Sequence, residues 1–159
     1  MALRFVNADE LSRELDIAPY RAAELAGAIR KQLAAERQSF VFETVLSDAV
    51  GDKIGFLKDA IANGFDVTLC FIGVDCAETS DERVAMRVSQ GGHDVPHDKI
   101  MARFPRTLAN LKLAITELSH LLVFDNSDLN QPFRRVAEFR NGKSVFLAES
   151  LPDWFDQLS

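Results

Sequence analysis

Basic charge is scarce in this sequence of 159 residues: 18 lysines and arginines stand against 24 aspartates and glutamates, a formal net charge of -6. Coating a nucleic acid takes a broad basic surface, so no nucleic-acid partner is expected. Cysteine is scarcer still, at two. Cys70 lies in an apolar run and Cys76 just after it, with no further Cys or His at metal-ligand spacing, so neither a metal site nor a disulfide framework is expected. Both read as reduced thiols, and Cys70 reads as core. No apolar run approaches the ~20 residues of a membrane span, and the N-terminus has no signal-peptide pattern, which points to the cytoplasm and to no membrane partner. Internal repeats, low-complexity tracts and linkers are also lacking, so one domain over residues 1–159 is expected.

What is present is an alternation of apolar runs and amphipathic stretches. Leu3 to Val6 reads as a short strand ending at Asn7-Ala8-Asp9. After Pro19, the spacing of Ala22, Leu25, Ala26, Ile29 and Leu33 puts one apolar stripe on a helix. Residues 39–46 read as a second strand, and Ile54, Leu57 and Ile61 as the buried side of a helix stopped by Asn63-Gly64. Residues 67–74 are apolar nearly throughout, the pattern of a parallel strand covered on both faces. Ile100, Phe104, Leu108, Leu111 and Ile115 mark the buried stripe of a later helix kinked at Pro105, with Lys99, Arg103, Arg106 and Asn110 on its polar side. Leu121 to Phe124 leads into Asp125-Asn126-Ser127, Asn141-Gly142 reads as a type I′ hairpin turn, and Trp154-Phe155 as a terminal segment docked onto the domain. This order predicts an α/β fold with a parallel sheet.

Within an acidic chain, Arg83, Arg87, Lys99, Arg103 and Arg106 gather around a Gly91-Gly92-His93 turn. Thr79 and Glu82 form a capping box, which places Arg83 and Arg87 one turn apart on a helix face. Ligands of open parallel sheets bind beyond the carboxyl ends of the strands. Asp9, Glu43-Thr44, Asp75 and Asp125-Asn126 all follow strands. Carboxylates facing guanidinium groups across a cleft suit phosphoryl transfer, in which an acid takes the hydroxyl proton and arginines stabilise the moving charge. Each residue also has a plainer reading: Asp9 as a helix cap, Arg87 and Arg106 as a solvated face, His93 as a brace for its turn, His97 and His120 as structural or exposed. Glu43, directly after Phe40-Val41-Phe42, would be costly to bury without a purpose.

The segments N-A-D-E-L (7–11), F-V-F-E-T-V-L-S (40–47), G-F-D-V-T-L-C-F-I-G (64–73), R-V-A-M-R-V-S-Q-G-G-H-D-V-P (83–96), R-F-P-R-T-L-A-N-L (103–111) and D-N-S (125–127) together resemble the zeta-toxin-like P-loop kinases, in a G-G-H-D-V-P branch. The resemblance implies a three-layer α/β/α fold with a mainly parallel sheet, completed here by the C-terminal β-hairpin. It implies ATP with Mg2+ as cofactors and a small-molecule hydroxyl as acceptor, as in toxins that phosphorylate UDP-N-acetylglucosamine. By the same resemblance Asp9 is the general base, Glu43 and Thr44 hold the acceptor, and Arg83 is a lid arginine on the transferred phosphate. Arg87, His93 or Arg103 stands in for a second lid cation, with Arg106 beside them, and Asp125 and Asn126 lie near the nucleotide. No protein metal ligand is assigned. An antitoxin-like protein is the partner such a family implies.

Family members open with a strand and a G-x-x-x-x-G-K-[ST] loop ahead of the segment matched by Asn7 to Asp9. Gly142-Lys143-Ser144 does not replace it, because Ala137 stands where the first glycine is required. The chain is accordingly expected to be an N-terminally truncated kinase domain lacking its first, central strand, very weak or inactive as a kinase. Loss of that strand would leave the strands ending at Glu43 and Asp75 each short of a backbone partner, free to pair directly or to self-associate through exposed edges. The competing expectation is a non-catalytic remnant that binds a phosphorylated ligand or a protein.

Overall fold

The structure, a computed structural model, describes residues 3–76, 85 and 97–158. The expected helix with Arg83 and Arg87, and the turn with His93, lie outside the described residues. By their contacts the chain forms two compact units, Met1–Val45 and Leu46–Ser159.

The first unit runs β1 (Arg4–Val6), α1 (Ala8–Leu15), α2 (Pro19–Ala35) and β2 (Phe40–Phe42). Pro19 opens α2 at its first turn, where a missing N–H leaves nothing unpaired. Ala22, Ala26 and Leu33 are buried on α2 at helical spacing, as the sequence predicts. Val6, Ala26 and Leu33 form a small core, against which Leu11, Ile29, Phe40 and Phe42 pack. β1 and β2 pair in parallel, with Arg4 opposite Phe40 and Val6 opposite Phe42. The second strand is shorter than the expected 39–46, its pairing ending where β1 gives way to α1.

The second unit runs α3 (Asp52–Ala62), β3 (Thr68–Gly73), α4 (His97–Glu117), β4 (His120–Asp125), β5 (Arg134–Arg140), β6 (Lys143–Leu147) and α5 (Asp153–Asp156). Its sheet has the order β3-β4-β5-β6, with β3 and β4 parallel and the later pairs antiparallel. The described strands thus form two sheets, one in each unit, each holding one parallel pair. The β5–β6 turn is as predicted: Asn141 and Gly142 have φ of 49° and 74°, the left-handed values that a type I′ turn demands. Gly64 ends α3 with φ of 88°.

Three expectations are corrected here. β3 is not covered on both faces, since Phe71 and Gly73 are buried while Thr68, Cys70 and Ile72 are exposed. Cys70 consequently belongs to the open face and not to the core. A run of apolar residues conceals a strand's two-residue alternation, which is why the sequence misleads. Asn110 is buried and not on the polar side of α4. Its amide donates to Leu46 O at 3.2 Å and to Asp48 O at 2.9 Å, satisfying carbonyls of the segment before α3.

Ile54 and Leu57 of α3, Leu108, Leu111 and Ala114 of α4, Leu118 just after it, and Leu121, Val123, Val136 and Ala137 of the sheet are buried in this unit. Leu46, Phe71 and Ile100 are buried as well, and Trp154, which docks its segment as expected, is fully buried. Its ring packs against Phe71 at a centroid distance of 5.9 Å. A Cβ on Gly73 would come within 2.5 Å of that ring, so position 73 admits no side chain without displacing the indole. Gly73→Ala is expected to destabilise the protein by about 1–3 kcal/mol and Trp154→Ala by about 3–5 kcal/mol. Urea unfolding followed by circular dichroism checks both, and an unchanged midpoint in Gly73→Ala refutes the close approach.

Candidate functional site

At the carboxyl end of the first unit's parallel pair, the residues following Val6 and Phe42 are Asn7 and Glu43. Asn7 is the N-cap of α1: its Oδ1 accepts from Asp9 N at 2.7 Å and Glu10 N at 3.1 Å. Its Nδ2 donates to Glu43 Oε2 at 2.9 Å. One side chain thus fixes the start of α1 and the orientation of a carboxylate on the neighbouring strand. The Glu43 amide donates to Val6 O at 3.4 Å, continuing the ladder one residue past the strands. Asp9 lies in the first turn of α1, where unpaired amides favour negative charge. Asp9, Glu43 and Thr44 are all exposed. The cap is Asn7, so Asp9 is released from that plainer role. The exposure of Glu43 removes burial cost as a reason for its presence.

Asn7 is the site residue that sequence reasoning passed over. Its signal was there, since an Asn between an apolar strand and a helix is the expected N-cap; the second bond, to a residue 36 positions away, has no local signature.

In the second unit, Asp125 ends β4, opposite Gly73 on one side and Arg134 on the other. It is buried, and both its oxygens are engaged within the chain. Oδ1 accepts from Ser127 Oγ at 2.6 Å, Ser127 N at 3.3 Å and Trp154 Nε1 at 3.0 Å. Oδ2 accepts from Arg134 at 3.3 Å, and the same guanidinium donates to Ser150 O at 2.7 Å. Burial alone pushes the Asp125 carboxyl up, but the bonds from Ser127, Trp154 and Arg134 together outweigh it and hold the group below its ordinary value. Asn126 donates its amide to Gly73 O at 2.8 Å and accepts from Phe133 N at 3.3 Å. Asp125 and Asn126 therefore have structural work of their own, which closes the C-terminal segment over the sheet.

Arg103 and Arg106 lie on α4, and Arg106 Nε donates to Ala102 O at 3.0 Å beside Pro105. His120, half-buried, bridges Thr68 Oγ1 at 2.9 Å and Glu138 Oε1 at 3.0 Å. Glu138 also takes bonds from Arg135 and Arg140. That cross-strand network accounts for His120 as structural. Asp48 is a carboxylate that sequence reasoning missed, its oxygens buried without a hydrogen bond and Lys53 Nζ 3.8 Å away.

The zeta toxin family model matches residues 11–137. The chain belongs to the zeta toxin family. No curated protein matches, and neither does any solved structure. Membership in the zeta toxin family brings a P-loop-kinase-like function and a nucleotide-binding character. The matched span includes Glu43, Thr44, Arg83, Arg87, His93, Arg103, Arg106, Asp125 and Asn126, and begins two residues after Asp9.

ATP and Mg2+ are the groups this family implies, and the described residues do not by themselves assemble a site for them. Asp125 has its oxygens committed to Ser127, Trp154 and Arg134. Gly142-Lys143 belongs to a hairpin turn, and no cluster of three or more metal-ligating side chains occurs among the described residues. No described helix is long and apolar enough to cross a membrane.

Two outcomes are expected from these contacts. Asn7→Ala removes the cap and is expected to cost about 1 kcal/mol, whereas Asn7→Asp, which keeps the cap, should recover most of it while turning Glu43 away by like-charge repulsion. Thermal unfolding of the two variants measures this. Asp125 has a depressed folded pKa, so its contribution is present above the unfolded carboxyl value and is lost as pH falls through the folded one. Asp125→Asn should therefore be less stable than the parent at neutral pH and converge with it in acid. A constant gap across that range in urea titrations contradicts the assignment.

Proposed function

We propose that this zeta toxin family chain binds the hydroxyl-bearing acceptor of a phosphoryl transfer at the carboxyl ends of β1 and β2. The reading is carried by the Asn7–Glu43 bond at the end of a parallel strand pair, with Asp9 exposed in the helix turn that Asn7 caps. Asp9 accepts the proton of the attacking hydroxyl as the hydroxyl oxygen bonds to the γ-phosphorus of ATP and the bond from that phosphorus to the bridging oxygen breaks, ADP leaving. Glu43, held by Asn7, accepts hydrogen bonds from further hydroxyls of the acceptor, with Thr44 adjacent. The resemblance of residues 83–106 to the family's lid assigns Arg83 the role of neutralising the transferred phosphoryl group, with Arg87, His93, Arg103 and Arg106 as further candidate lid cations; Arg83, Arg87 and His93 lie outside the described residues. The acceptor class is a nucleotide sugar of the UDP-N-acetyl type, and the donor chemistry is that of ATP with Mg2+, supplied by a site that the described residues do not make.

Calorimetric titration with UDP-N-acetylglucosamine tests acceptor binding directly. Glu43→Gln is expected to weaken it by roughly tenfold, the loss of one hydrogen bond to a charged group, and Asp9→Asn to leave affinity nearly unchanged. In a form extended by any upstream in-frame codons that carry a phosphate loop, Asp9→Asn should lower kcat by about a hundredfold or more. Turnover unchanged in both Asp9→Asn and Arg83→Ala, or no binding across a panel of nucleotide sugars, rejects the proposal.

A further inference from the structure

One residue separates β1 from α1. The strand ends at Val6, the helix starts at Ala8, and Asn7 between them keeps an extended backbone, with φ of -130° and ψ of 126°. The junction therefore has a single side chain, and that side chain makes two kinds of bond. Its Oδ1 takes the amides of Asp9 and Glu10, and its Nδ2 reaches across to Glu43. The partners fix which end of the side-chain amide points where, since backbone N–H groups need an acceptor and a carboxylate needs a donor.

The helix alone does not explain why this residue is asparagine. Aspartate and serine cap about as well, and threonine nearly so. Aspartate, however, would set like charge against Glu43, and the hydroxyl of serine or threonine stops one bond short of the amide nitrogen. Among the good capping residues asparagine carries an acceptor and a donor on separate atoms.

The donor acts on the Glu43 side chain, because the Glu43 backbone is already tied to Val6 O. It occupies Oε2 and, among the described residues, leaves Oε1 without a partner. A long exposed side chain left free samples several rotamers, and binding then has to order it. Held by Asn7, Glu43 presents one unoccupied carboxylate oxygen in a set direction before a ligand arrives. An acceptor so placed recognises a hydrogen-bond donor such as a hydroxyl and turns away a group that can only accept. Through the cap, the same side chain sets where Asp9 stands in the first turn of α1.

We propose that Asn7 is a positioning residue that determines the selectivity of the acceptor site, holding Glu43 with one oxygen occupied and the other free for a single hydroxyl of the ligand. The inference rests on the acceptor site proposed at the ends of β1 and β2, and deepens it by naming what the site reads.

Calorimetric titration of the full chain with UDP-N-acetylglucosamine tests it in the parent, Asn7→Ser, Glu43→Ala and the double variant. Asn7→Ser keeps the cap and loses the donor. Its urea midpoint is expected to stay with the parent while affinity falls by about threefold to tenfold, the cost of ordering one freed side chain. In the Glu43→Ala background the same substitution should change affinity by less than about twofold, because no carboxylate remains for Asn7 to hold. Asn7→Asp, which also caps, should bind more weakly than Asn7→Ser, since the new charge drives Glu43 out of place. Analogues in which each sugar hydroxyl is replaced in turn by fluorine, which cannot donate, complete the test. The parent should reject one of them by about tenfold, and Asn7→Ser should reject it less. Affinity unchanged in Asn7→Ser, an equal loss with and without Glu43, or a parent indifferent to every fluorinated analogue overturns the proposal. If the parent still binds and Glu43→Ala still weakens binding, those outcomes leave the acceptor site standing. A parent that binds no nucleotide sugar removes the site and this inference together.

Discussion

Parallel pairing is the constraint on which this structure rests. Two strands that run side by side in the same direction finish together, and the residues just past their ends are brought to one place. In the first unit that rule puts Asn7 next to Glu43 although 36 residues separate them. In the second it puts Gly73 next to Asp125, and the Asn126 amide then closes onto Gly73 O. Both junctions carry polar side chains for the same reason: the ladder has ended, and the backbone groups beyond it need partners. The two junctions differ in how those side chains are spent. Asp125 is absorbed by its own chain, whereas Asp9 and Glu43 remain exposed, the latter held by a single amide. A carboxylate that is positioned but exposed can meet a ligand, and one that is fully bonded stabilises the fold.

The energetic centre of the second unit is the contact between Trp154 and the end of β3. The indole needs a flat, Cβ-free floor, which Gly73 provides, and a hydrogen-bond acceptor at its edge, which Asp125 provides. Burying a large aromatic with its N–H satisfied combines apolar area with a bond that would be costly to lose in the interior. Arg134 extends the same arrangement by joining Asp125 to the carbonyl of Ser150. The residues that end β4, start β5 and precede α5 are thereby held as one structure.

Much of this was legible in the sequence because its determinants are local. Pro19 before an apolar stripe marks α2, Asn63-Gly64 marks the end of α3, and Asn141-Gly142 specifies its hairpin by backbone geometry alone. The family was legible too, since the matching segments run in order through most of the chain. The features that could not be read depend on partners distant in sequence. Cys70 looked like core because a continuous apolar run conceals which residues face which way. Asn110 looked like surface because its hydrogen-bond acceptors, Leu46 O and Asp48 O, lie more than sixty residues earlier. Asn7 showed its capping role but not its bond to Glu43, and it is that bond which turns a strand end into a candidate site.

The seat of Trp154 also orders events during synthesis. Phe71 and Gly73 leave the ribosome some eighty residues ahead of the ring that seals them. Until position 154 has cleared the exit tunnel, this end of β3 has no indole to cover it, and the second unit cannot complete its packing.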